Sequence, residues 1–140
     1  MQVSLAVLAD CANITQDGKI NVMGIFGEIN PPGLPAVFPT MFLIIGFVAS
    51  PAEVGTEKSL QIVLLDEDGT RRLQLQNNAV VPQPSRAGGN ATLVSIIGLN
   101  NTVFERAGDY QFSILVNGEE KTTIPLRVNV VLPPIPEGER

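Results

Sequence analysis

Histidine and tryptophan are absent from this 140-residue chain, and cysteine and tyrosine occur once each. Each gap removes a chemistry. Without histidine there is no Ser-His-Asp triad, no Cys-His dyad and no imidazole acid-base pair. Cys11 alone forms neither an intrachain disulfide nor a thiolate zinc site. A lack of tryptophan removes the ring face on which sugars most readily stack. Charge is scarce too, at 16% of residues against roughly 25% in an average soluble domain. The nine basic residues are scattered, Arg71-Arg72 being the one adjacent pair, and the net charge is −5. Nucleic acid is therefore excluded as a partner, since phosphate binding needs a clustered positive surface. Gly88-Gly89-Asn90 lies between strand candidates and lacks the helix N-terminus that phosphate cradling requires. The expectation is a non-enzymatic protein without a cofactor.

Long apolar runs are missing as well. Residues 41–49 form the longest beyond the start of the chain, strand length and far short of the ~20 residues of a membrane span. Leu8-Ala9-Asp10-Cys11 loosely resembles a lipoprotein cleavage box. No Lys or Arg precedes it, however, and Asp10 stands where a small residue is needed. A cytoplasmic protein with no membrane contact is expected, in keeping with a sandwich that has no disulfide.

What the chain does contain is alternation. Tyr110, Phe112, Ile114 and Val116 share one face of a strand that ends in Asn117-Gly118, the strongest short-range hairpin signal because both residues tolerate positive φ. About eight strand candidates recur at roughly ten-residue intervals, and no helical window survives the prolines and β-branched residues. The first strand should turn Val3, Leu5, Val7, Ala9 and Cys11 toward the core, with Cys11 a small buried hydrophobe. Gly24 and Gly27 mark a bend in the second. The stretch 41–48 is apolar on both faces and reads as a central strand, and Pro125 makes the last strand an edge. The fold class is all-β: a single two-sheet antiparallel β-sandwich over 1–131, immunoglobulin-like in the broad sense, followed by a Pro-rich extended tail at 132–140. Closure into a barrel is the alternative.

Two resemblances follow from these residues. Ala107 to Phe112 resembles the tyrosine corner of immunoglobulin-like domains, with Tyr110 in the place of the corner tyrosine and its hydroxyl bonded to backbone a few residues upstream. Phe112 replaces the usual cysteine and Arg106 a frequent aspartate. More broadly, Leu8-Ala9-Asp10, the block from Asp17-Gly18-Lys19 through Gly24-Ile25-Phe26, Asp66-Glu67-Asp68-Gly69 and Gly108-Asp109-Tyr110 resemble a family of small bacterial proteins of unknown function. That likeness implies a bacterial cytoplasmic β-sandwich and brings no activity with it.

Candidate sites are few. Tyr110, Gly108 and Gly24 are read as structural. The turn at Asp66 to Gly69 is a solvated hairpin turn, and Asp66 with Asp68 is a weak calcium candidate through hard oxygen ligands. Loops 30–39 and 77–90 are long enough to recognise something, and Phe38 and Arg86 are their candidate contacts. The functional expectation is a protein-interaction or structural module, binding an unknown protein or itself as a homo-oligomer. The alternative is a sandwich that binds a small ligand, carbohydrate or calcium.

Overall fold

The first strand, thirteen residues long, already departs from simple alternation. In the computed structural model, which describes residues 1–130, β1 (Gln2–Ile14) is followed by β2 (Ile20–Phe26), β3 (Glu28–Ile29), β4 (Ala36–Ala49), a 3-10 turn at Pro51–Glu53, β5 (Glu57–Leu65), β6 (Arg71–Val80), β7 (Ala91–Phe104), β8 (Gly108–Val116) and β9 (Glu119–Val128). They form two sheets, four-stranded in the order β2-β1-β4-β7 and five-stranded in the order β3-β9-β8-β5-β6. The fold is thus a sandwich and not a barrel. All pairings are antiparallel except that of β3 with β9. Nine strands appear where about eight were expected because β2 and β3 are one run of chain that changes sheet at Gly27. The bend expected there is the crossing itself. The tail at 132–140 lies outside the described residues.

The core lies between the sheets: Leu8, Leu43, Ile45 and Phe47 from one side, Ile62, Leu64, Phe112 and Ile114 from the other. Alternating apolar residues on a pleated strand dictate this layering. β4 sits between β1 and β7, the central position its two-sided apolar sequence indicated. Asn117 (φ 50°) and Gly118 (φ 81°) make the β8–β9 hairpin with the left-handed backbone that Asn-Gly favours. β9 is not the edge that Pro125 suggested, since it lies between β3 and β8; β3 pairs with Arg127 and Val128 alone, so Pro125 still has a partner only on the β8 side.

One expectation is overturned in β1. Its register against β4 shifts between Val3 and Leu5. Val3 packs on the core, but beyond the bulge Ala6 and Leu8 take the inner face, and Cys11 is exposed. A single extra residue at Ser4 inverts every later position, because side-chain direction has a period of two. The loops are also shorter than expected. β4 begins at Ala36 and β6 runs on to Val80, leaving connections of 30–35 and 81–90.

Candidate functional site

Chemistry-bearing side chains collect at one end of the sandwich, where the β5–β6 turn meets the β7–β8 turn. Asp66 is 7% exposed. One of its carboxylate oxygens, Oδ1, accepts the amides of Asp68 and Thr70, both at 2.9 Å. The other, Oδ2, accepts Arg72 Nε at 2.9 Å and Arg106 Nη2 at 3.1 Å. Arg106 also donates to Asp68 at 3.0 Å. Burial pushes the Asp66 carboxyl up, but the Thr70 amide, Arg72, the Asp68 amide and Arg106 outweigh it and hold the group below its ordinary value. Asp68 first and Asp66 second raise the Arg106 guanidinium.

This arrangement revises the reading of the turn. Asp66 is a buried strut, not a solvated turn residue, and four donors occupy its oxygens. A calcium ion would have to displace two guanidinium groups, so Asp66 and Asp68 do not form the free oxygen cluster that such a site needs. The recess they line with Glu67, Arg106, Ala107 and Tyr110 measures about 100 Å³, below the ~300 Å³ at which small-molecule pockets begin.

Tyr110 stands where the corner motif places it. Its hydroxyl donates to the carbonyl of Arg106 at 2.7 Å, and its ring packs edge-on against Phe104 at 5.1 Å. Gly108 has φ 139°, and a Cβ there would lie 2.7 Å from the Glu67 carboxylate, which itself accepts the amide of Asp109 at 2.8 Å. Glycine is required both by backbone and by space. At Gly24 (φ 71°) a Cβ would meet the Asp10 carboxylate at 2.5 Å. Removing the Tyr110 hydroxyl leaves a carbonyl unpaired, so Tyr110→Phe should lower stability by about 1–2 kcal/mol in urea unfolding. An unchanged midpoint would mean that the corner bond contributes nothing.

Of the two contact candidates, Phe38 falls outside the loop expected for it, whereas Arg86 stays in a connecting segment, though a shorter one. Phe38 lies in β4, packs on the core and stacks at a tilt on Phe26 at 5.7 Å. Arg86 is exposed in the 81–90 connection, where its carbonyl closes a turn by accepting the Gly89 amide. Between the edges of β6 and β7 runs a groove of about 400 Å³ lined by Leu73, Leu75 and Leu99 among others. Arg72, its one charged wall, is already engaged by Asp66.

The surface that sequence reasoning missed is the outer face of the four-stranded sheet. Its register aligns Leu5 with Gly46 and Val94, and Val7 with Ile44 and Ile96. A third row runs Ile25, Ala9, Phe42 and Gly98. Two glycines confirm which way these side chains point. A Cβ on Gly98 would meet the Phe42 ring at 3.2 Å, and one on Gly46 would meet Leu5 Cβ at 3.3 Å. Met23 and Ile25, on the edge strand β2, are 67% and 64% exposed. Ile44 is fully buried yet belongs to no part of the inter-sheet core. Asp10 is the one charged residue in β1, β2, β4 and β7 together. All described strands belong to the two sheets, so no described element lies across this face. The apolar two-facedness of 41–48 carries this signal as well as that of a central strand.

Fold and corner together define an all-β sandwich whose polar end is a structural lock. The chain belongs to a family of unknown function, DUF6941, whose family model matches residues 4–129. Among curated proteins no match was found. No helix among the described residues is long and apolar enough to cross a membrane.

Proposed function

We propose that this protein is a non-catalytic interaction module that engages another protein surface through the outer face of its four-stranded sheet. One observation carries the reading: the two sheets differ in what they turn outward. On the five-stranded sheet, Gln61, Gln74, Gln76, Gln111 and Ser113 share the outer rows with Val63, Leu65 and Leu115, the mixed outer face of an antiparallel sheet. On the four-stranded sheet the central rows of that surface are apolar and uncharged. Strands apolar on both faces belong in sheets covered on both faces, and contiguous exposed apolar patches of several hundred Å² mark interaction sites. A cytoplasmic, bacterial setting fits the missing disulfide and the family resemblance.

The test is capture with three versions of the immobilised chain: wild type, a Met23→Lys/Ile25→Lys double variant, and a Gln74→Lys/Gln111→Lys control on the polar face. They are incubated with the pure chain and with lysate of the source cell. A stoichiometric binder retained by wild type and control, and lost by the apolar-face variant, is the expected result. Equal recovery on all three, or on none, would sink the reading.

A further inference from the structure

The geometry points to a second copy of this chain as the occupant of that face, packed sheet against sheet across a two-fold axis. The inference rests on the interaction reading above and names its partner. Three observations select it. The first is charge. Two copies of a chain with net charge −5 repel one another, and an isologous contact sets each residue of a patch against the same patch on its partner. Self-association is then least opposed where the charge is absent, and among the described residues no negative group lies on the outer rows of β1, β2, β4 and β7. The lack of any Lys or Arg on those strands equally removes the attraction that an anionic lipid surface would exploit.

The second is area. Three strands over about nine residues and β2 over its seven, at about 4.8 Å spacing and about 3.3 Å per residue, give a footprint of roughly 540 Å² per copy. The pair then covers about 1,100 Å², which reaches the ~1,000 Å² that a specific interface must clear. The third is relief. Met23 and Ile25 stand high on β2 at one edge, whereas on β7 no side chain rises at Gly98 and the Phe42 ring lies across the position. A two-fold axis parallel to the strands sets β2 of one copy over β7 of the other, so the raised edge meets the lowered one in both halves at once. Cys11, paired with Met23 across β1 and β2, then lies at the margin of the contact.

Sedimentation velocity of the pure full-length chain tests this, with reaction of the single thiol by a chromogenic disulfide as a second readout. Wild type is expected to be dimeric at micromolar concentration, with thiol reaction slowing as concentration rises. Met23→Lys/Ile25→Lys, at two exposed positions that leave the core intact, should raise the dimer dissociation constant about 100-fold or more with circular dichroism unchanged. Gln74→Lys/Gln111→Lys should stay dimeric. A monomeric wild type at 100 µM (a concentration chosen as on the order of a hundred times a micromolar constant) overturns the second copy. If the face still captured a different protein, the interaction reading would survive that result. Failure of both experiments would end both. A dimer indifferent to the lysines would be held through another surface, such as an exposed strand edge, which likewise overturns the face-to-face assignment.

Discussion

Asp66→Ala should lower the melting temperature by on the order of 5–10 °C, the largest effect expected from any polar residue of this protein. Its carboxylate closes the β5–β6 turn through the Asp68 and Thr70 amides and ties that turn to β6 and to the β7–β8 connection through Arg72 and Arg106. Alanine removes all four acceptances at once. Asn at the same position keeps one acceptor oxygen for the two turn amides and loses the charge that faces the arginines. Arg72 and Arg106 are 35% and 57% exposed at the side chain, so they regain water when the charge is lost, and Asp66→Asn should cost clearly less than Asp66→Ala. Equal losses would mean that the ion pairs, not the turn amides, dominate.

The same residue sets a pH dependence of known sign. Its folded pKa lies below the ordinary 3.8. Its contribution is therefore fully present above about pH 4 and is lost as pH falls through 3.8 toward the folded value. Between pH 5 and 2, wild type should lose more stability than Asp66→Asn, and the two curves should converge at the acid end. Glu53, drawn to about 2 by the terminal ammonium first and the Ser50 amide second, titrates alike in both proteins, so the difference isolates Asp66. Parallel curves would place the acid sensitivity elsewhere.

How much of this was legible depends on the range over which each signal acts. The Asn117-Gly118 hairpin, the Tyr110 corner and the central place of β4 were readable because each follows from neighbouring residues: turn dihedrals, a hydroxyl reaching the carbonyl of Arg106, unbroken apolarity. Gly108 was recognisable as structural, but its reason was not, since the Glu67 carboxylate that fills the space is 41 positions away. Asp66 was misread for the same cause. Acidic residues favour turns whether or not arginines from other strands converge on them, and nothing near Asp66-Glu67-Asp68-Gly69 announces Arg106. The recognition loops shrank because β4 and β6 extend through Pro39 and Asn77-Asn78, residues of poor strand propensity held in place by β7 and β5. The apolar outer face was visible residue by residue and invisible as a surface, because it is assembled from four strands whose order is not local.

The sharpest consequence of that long-range control is in β1. Leu8→Ala should destabilise the protein by about 3 kcal/mol, while Cys11→Ser, measured at concentrations low enough to keep the chain monomeric, should change nothing detectable. Plain alternation from Val3 predicts the reverse order, with Cys11 inside and Leu8 outside. The bulge at Ser4 decides between them. Leu8 is 1% exposed and part of the inter-sheet core, so its removal leaves a cavity among side chains fixed by both sheets, which relax little. Cys11 contributes to the outer rows, where a hydroxyl in place of a thiol meets solvent. Urea unfolding of the two variants is enough to tell. A costly Cys11→Ser beside a tolerated Leu8→Ala would mean that β1 keeps its first register throughout. The outer face would then present Ala6, Leu8 and Asp10, the last a carboxylate that two copies cannot bury against each other. The bulge at Ser4 thus determines both which residues hold the sheets together and whether the face opposite them is fit to meet its own copy.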